Sequence, residues 1–263
     1  MRDQGFDVYA IDWGTPGDLE EQLTWDEALG GLIRSAVHWT LKVSGAKQLT
    51  LYGYCMGGTM ALAYAALYPK ELRNFVAQAT PVDFHEGGIF TTWTRPDYFN
   101  VDSMIDAHGN VPIDLMESGF SMMAPVQRLT KWLEVFRRID DPEFVTTFLA
   151  METWAADNVP FPGELYRQYI KDCYQENNFF HGRMVIGGRT VELGRITCSL
   201  LTLIADKDTI APPPSSLALA GKVGSTDKTT LHFDVGHIGL STSSKGPRVI
   251  WPQIAAWLAE RSG

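Results

Sequence analysis

The chain has 263 residues, of which 45% are hydrophobic and 20% charged, and carries a formal net charge of −9 at pH 7. Such a balance excludes an intrinsically disordered chain, and the lack of any basic stripe excludes an ordinary nucleic-acid binder. No apolar run reaches the ~18–20 residues of a membrane helix, and Met1-Arg2-Asp3-Gln4-Gly5 starts no apolar signal-peptide core. Three scattered cysteines, Cys55, Cys173 and Cys198, give neither a disulfide framework nor C-x-x-C metal spacing. They point to a reducing compartment, hence the cytoplasm. His38, His85, His108, His181 and His232 are equally scattered, and neither a metal nor a cofactor is expected.

In chain order, Phe6-Asp7-Val8-Tyr9-Ala10-Ile11-Asp12 is β-branched and aromatic and runs into a Trp13-Gly14-Thr15-Pro16-Gly17 turn, which predicts a strand. Thr24 with Glu27 forms a capping box. Leu29, Leu32, Ile33, Ala36, Val37, Thr40 and Leu41 then recur at helical spacing up to Gly45. Gln48–Tyr52 reads as a short strand, Thr59–Leu67 as an Ala-rich helix stopped by Pro69, and Leu72–Thr80 as another strand. Strand and helix alternate, so the prediction is an α/β protein with a mostly parallel sheet. From residue 84 to about 190 the rhythm breaks into helical segments near 126–138, 141–155 and 163–176. A small hairpin is expected around Gly187-Gly188. The sheet pattern returns at Ser199–Ala205 and Thr229–Val235, and Val249–Arg261 is a closing helix. The expected division is therefore a core part over 1–83, a helical cap insertion over 84–190 and a second core part over 191–263.

Gly53-x-Cys55-x-Gly57 lies between a strand and a helix. This is the G-x-S-x-G nucleophile elbow with cysteine in place of serine. The sharp turn strains the nucleophile's backbone and needs small neighbours, while the helix N-terminus favours negative charge on a thiolate. Asp208 follows the strand over 199–205, and His237 follows the next one in Val235-Gly236-His237-Ile238-Gly239. Nucleophile, acid and histidine thus occur in the α/β-hydrolase order. Both partners lie past the C-terminal ends of parallel strands, where sites in open α/β sheets sit. Taken singly, each has a plainer reading: a buried cysteine in a tight turn, a turn-capping aspartate and a loop histidine. Asp206 competes with Asp208.

At these residues the chain resembles the polyhydroxyalkanoate synthases, specifically the short class III catalytic subunit. The likeness runs through Gly5–Gly14, Gly53-Tyr54-Cys55-Met56-Gly57-Gly58-Thr59, Thr80-Pro81-Val82-Asp83-Phe84, Asp206–Pro213 and Gly236-His237-Ile238-Gly239. Thr209 departs from the histidine that many members carry there. The resemblance implies the α/β-hydrolase fold and an acyltransferase that polymerises (R)-3-hydroxyacyl-CoA, short-chain units such as 3-hydroxybutyryl-CoA, into polyester with release of CoA. Cys55 would carry the acyl group, His237 would act as base and Asp208 would orient it. The backbone N–H of Met56 would serve the oxyanion. Trp93, Tyr98, Phe99, Trp132, Phe136 and Trp154 of the insertion would cover the site, although ordinary core is the plainer reading of each. A synthase partner subunit, a homodimer or hetero-oligomer and association with cytoplasmic polyester granules are also implied.

In the α/β-hydrolase order the third strand lies between the fourth and fifth, which residues 6–12 and 48–52 resemble. That central strand, with the second oxyanion donor after it, is expected upstream of residue 1, so the chain reads as N-terminally truncated with its first strands missing. Strands 6–12 and 48–52 must then pair directly, leave a slot or borrow a strand. Two other readings stand beside the synthase: a cysteine-nucleophile ester or thioester hydrolase of the same fold, and an inactive truncated remnant.

Overall fold

Leu72–Gln78 and Ser199–Ala205 are apolar or small at most positions, the pattern of strands covered on both faces. In the computed structural model, which describes residues 1–123 and 125–262 with no side-chain detail over 125–129, they are the two central strands of a four-stranded parallel sheet. Its order is β1 (Leu49–Tyr54), β2 (Leu72–Gln78), β5 (Ser199–Ala205) and β6 (Lys228–Phe233), with β3 (Val185–Ile186) and β4 (Arg189–Thr190) forming a separate hairpin. The register sets Tyr54 against Gln78, Gln78 against Leu203 and Ala205 against Phe233. The C-terminal ends of all four strands therefore open on one edge, where the loops carrying the site emerge.

Helix Met56–Leu67 is buried at every residue from Gly58 to Leu67. A helix covered all round has no need of an amphipathic pattern, which explains its Ala-rich sequence. Val76, Leu201, Leu203 and Phe233 pack with Leu240, Ile250, Ile254 and Trp257 in one continuous cluster, and the Trp257 indole N–H donates to Thr229 Oγ1 at 2.9 Å. Gly187 and Gly188 take φ of 55° and 70° in the hairpin turn, as a two-residue I′ turn requires.

Two units are compact in themselves. The first, Met1–Asp12, Thr24–Asn100 and Gln168–Gly263, contains the sheet. The second, Trp13–Leu23 and Val101–Arg167, is helical. Within it Arg167 bonds Asp102, Asp106 and Glu164 at 2.6, 2.7 and 3.0 Å. Its Trp132, Phe136 and Trp154 are exposed rather than core. No helix among the described residues is long and apolar enough to cross a membrane.

Two expectations are corrected. Residues 6–12 form no strand. Their alternation and β-branching suit a pleated surface, but a strand exists only through its ladder, and no neighbouring strand meets them among the described residues. Phe6 alone packs on the core cluster, while Val8, Tyr9 and Ile11 face solvent. The β1 edge consequently pairs only with β2. Second, the Thr24–Glu27 capping box is present, but the helix widens to π-type over Ala28–Ile33 before continuing as α over Arg34–Ser44. The wider turn shifts the buried stripe to Trp25, Ala28, Leu29, Ile33 and Val37 and leaves Leu32 exposed. Amide hydrogen exchange should find residues 6–12 unprotected while β2 and β5 persist to the limit of global unfolding. Protection across 6–12 would contradict the absence of a ladder there.

Candidate active site

β1 ends at Tyr54, and Cys55 follows with φ 53° and ψ −130° as the residue that caps helix Met56–Leu67. A non-glycine residue held there stores roughly 1–3 kcal/mol of strain, which the surroundings must over-determine. They do so by hydrogen bonds at both ends of the residue. The Cys55 N–H donates to the Gln78 carbonyl at 3.0 Å, and the Cys55 carbonyl accepts from Gly58 and Thr59 at 2.9 and 3.2 Å. Close approach does the rest. A Cβ on Gly53 would lie 2.4 Å from Gly58 Cα, and one on Gly58 would lie 2.0 Å from Thr80 Oγ1. Gly57, the last glycine of the motif, meets nothing within 4 Å. Gly53 and Gly58 are thus the pair that lets strand and helix touch.

Asp208 stands three residues beyond β5, where the loop folds back on its carboxylate. Oδ1 accepts the N–H groups of Ile210 and Ala211 at 2.8 and 2.9 Å. Oδ2 lies 2.6 Å from Nδ1 of His237, which enters from the loop after β6. Both side chains are buried. Asp206, the competing carboxylate, meets the exposed His232 instead, at 2.8 Å. With Nδ1 engaged by Asp208, the imidazole also lies close enough to Cys55 for the thiol to act on its protonation. The structure therefore brings Cys55, His237 and Asp208 together, and sets the Met56 N–H at the start of the elbow helix, among the amides without an intrahelical acceptor.

Burial pulls the His237 pKa down, but the hydrogen bonds of Asp208 and Cys55, with their charges, outweigh it and lift the imidazole from 6.5 to about 9. The other two cysteines are chemically quieter. Burial drives Cys173 well up, and raises Cys198 to about 11.

Several residues near Cys55 carry no signal in the sequence. The Tyr54 ring lies against the His237 imidazole, with centroids 5.0 Å apart. Tyr169, buried in a π-helical turn over Tyr169–Gln175, has its phenol pushed up by burial and by the fields of Tyr174, Cys173 and Cys55. Asn177, in a left-handed conformation, holds the Phe84 N–H at 3.2 Å and the Asp83 carboxylate at 2.8 Å. Side chains contributed by the x positions of a motif or by remote turns leave no spacing to read.

A family model of the alpha/beta hydrolase fold matches residues 2–243. Poly(3-hydroxyalkanoate) polymerase subunit PhaC of Allochromatium vinosum is 39% identical over 260 residues, covering 98% of this chain and 72% of its own. The chain belongs to the PhaC family. The PhaC of a Synechocystis strain is likewise 39% identical, over 98% of this chain and 70% of its own. That of Haloferax mediterranei is 37% identical over all of this chain but only 54% of its own length, so the chain spans about half of that relative. Among solved structures, a monoacylglycerol lipase of Paleococcus ferrophilus superposes with a TM-score of 0.60 at 19% identity, over 98% of this chain and 85% of that one. At that identity the likeness concerns the fold alone.

His237 also gives this PhaC chain a pH signature. Because its folded pKa of about 9 lies above the ordinary 6.5, its contribution to stability is complete below pH 6.5 and is lost as the pH rises through about 9. Chemical denaturation between pH 6 and 10 should show stability falling over that window, with an imidazole NMR titration midpoint near 9. Asp208→Asn should lower the midpoint and flatten the fall. An unchanged midpoint in Asp208→Asn would remove Asp208 as the cause.

Proposed function

We propose that the protein is an acyltransferase that polymerises (R)-3-hydroxyacyl-CoA, with 3-hydroxybutyryl-CoA as the representative substrate, through a thioester on Cys55. The observation that carries this reading is a cysteine, not a serine, at the strained elbow of a PhaC-family chain, beside the Asp208-supported His237 whose protonation it influences. A thioester substrate suits a thiol, because acyl transfer exchanges one thioester for another at little cost in energy. A thiolate is also a stronger nucleophile than a hydroxyl and easier to form near neutral pH.

In the first step the pair's shared proton rests on the high-pKa His237, and the Cys55 thiolate attacks the acyl carbonyl carbon through Sγ. The bond to the CoA sulfur breaks as the bond to Cys55 forms, and His237 returns the proton to the departing CoA thiol. In the second step His237 takes the proton of a 3-hydroxyl group. The resulting oxygen nucleophile attacks the Cys55 thioester, an ester bond forms, and Cys55 leaves as thiolate to recover its proton from His237. Asp208 keeps the ring in the tautomer and orientation both steps need. The Met56 N–H is the donor for the carbonyl oxygen as it becomes an oxyanion; loss of one such donor typically costs ~3–4 kcal/mol of barrier. The relatives bear the name of a polymerase subunit, which supports a partner subunit; a place at the surface of cytoplasmic polyester granules is part of the same proposal.

Product analysis separates the polymerase from a thioester hydrolase built on the same three residues. Incubation with 3-hydroxybutyryl-CoA should release CoA and yield polymer. Cys55→Ala should lose at least ~10³-fold in rate, the scale expected when a covalent nucleophile is removed, while Cys173→Ala and Cys198→Ala retain activity. Free 3-hydroxybutyrate as the sole product would assign the hydrolase, and polymer from Cys55→Ala would overturn the nucleophile.

A further inference from the structure

β1 offers two tyrosines, Tyr52 and Tyr54, two residues apart and so on one face of the strand. Each reaches the segment that carries His237, by a different route. The Tyr54 hydroxyl donates to the backbone carbonyl of His237 at 3.3 Å, and its ring packs on the imidazole at an interplanar angle of 31°. The Tyr52 hydroxyl donates to Gln78 Oε1. Gln78 Nε2 in turn donates to Ser241 Oγ at 2.6 Å, in the short helix Gly239–Thr242 that begins two residues after His237. Gln78 is 4% exposed, and its own carbonyl receives the Cys55 N–H. One residue thus holds the nucleophile's backbone with its main chain and the histidine's helix with its side chain.

We infer that Tyr54 and Gln78 are positioning residues, which tie the loop of His237 to the elbow and set the approach of the imidazole to Cys55.

Covalent structure gives no such tie, because Cys55 and His237 lie 182 residues apart and enter from strands at opposite edges of the sheet. Asp208 fixes the ring at Nδ1 but comes from β5 and says nothing about the distance to β1. The two bridges from β1 and β2 supply that distance. A buried amide with both ends satisfied is also costly to break, since each group left unpaired loses its hydrogen bond without regaining water. The bridge therefore holds one arrangement of the loop in preference to others. The groups facing the imidazole are Asp208, Cys55 and Tyr54, so a displaced loop changes the field that His237 feels.

The inference rests on the reading of Cys55 and His237 as nucleophile and base, and its test includes a measurement that needs no substrate. Tyr54→Phe keeps the ring and removes the donor; Ser241→Ala removes the far end of the Gln78 bridge at a partly exposed site and leaves the core intact. In each variant, iodoacetamide labelling of Cys55 at pH 7 should slow by about 10-fold, as expected when reacting groups are displaced by a fraction of an ångström. The NMR midpoint of His237 should fall below its wild-type value. With 3-hydroxybutyryl-CoA, kcat should fall by a similar factor at unchanged KM. Wild-type labelling rates and His237 midpoints in both variants overturn the inference, including the case in which the variants merely melt earlier. Failure of the wild-type protein to turn over acyl-CoA would instead count against the proposed reaction, and would leave the labelling comparison to decide the positioning role.

Discussion

Cys55 can keep a φ of 53° only because two glycines bring the β1 strand and the elbow helix into backbone contact. Gly53 meets the Cα of Gly58, and Gly58 meets the side chain of Thr80. Everything chemical in the molecule follows from that contact. It projects the thiol from the end of β1 at the head of a twelve-residue helix, and aims it at the loops that leave β5 and β6. A methyl group on Gly53 would press on main-chain atoms with no room to retreat, the kind of overpacking that costs ~1–3 kcal/mol or more.

The charged pair behind the thiol is held in the same spirit. Asp208 and His237 are almost wholly buried, and an ion pair of that sort contributes little net stability, because desolvation offsets attraction. Breaking it by removing one partner is another matter, typically ~3–5 kcal/mol, since the other charge is left stranded. Two backbone N–H groups hold Asp208 Oδ1, and Oδ2 is left for His237. The arrangement is therefore one of orientation: the loop after β5 fixes Asp208, and Asp208 fixes the ring at Nδ1.

The fold class and the residues of the candidate site were legible in the sequence, while parts of the scaffold were not. Cys55, Asp208 and His237 were legible because each sits just past a strand with a strong apolar signature, and because glycines flanking a strand–helix turn mark a place where two backbones must approach closely. Strand position alone left Asp206 beside Asp208, since both follow β5; the family resemblance favoured Asp208, and in the fold Asp206 turns to His232. Residues 6–12 misled for a physical reason. β-propensity reports fitness for a pleated surface, not the presence of a partner to pair with. The shift of the buried stripe at Leu32 was hidden as well, because a periodicity of 3.6 presumes an α-helix and the Ala28–Ile33 turns are wider. The side chains around the site, Tyr54, Gln78 and Tyr169, come from x positions, a strand end and a π-turn, none of which has a spacing that singles it out.

The most direct measurement of the central claim is the covalent state of Cys55 during turnover. The protein would be mixed with 3-hydroxybutyryl-CoA, quenched in acid within the first turnovers and digested, and the peptide containing Cys55 weighed by mass spectrometry. The predicted result is a 3-hydroxybutyryl increment on Cys55, labile to hydroxylamine as a thioester is, with Cys173 and Cys198 unmodified. CoA release and polymer growth with Cys55 unmodified, or the acyl group on another residue, would contradict the assignment of Cys55 as nucleophile.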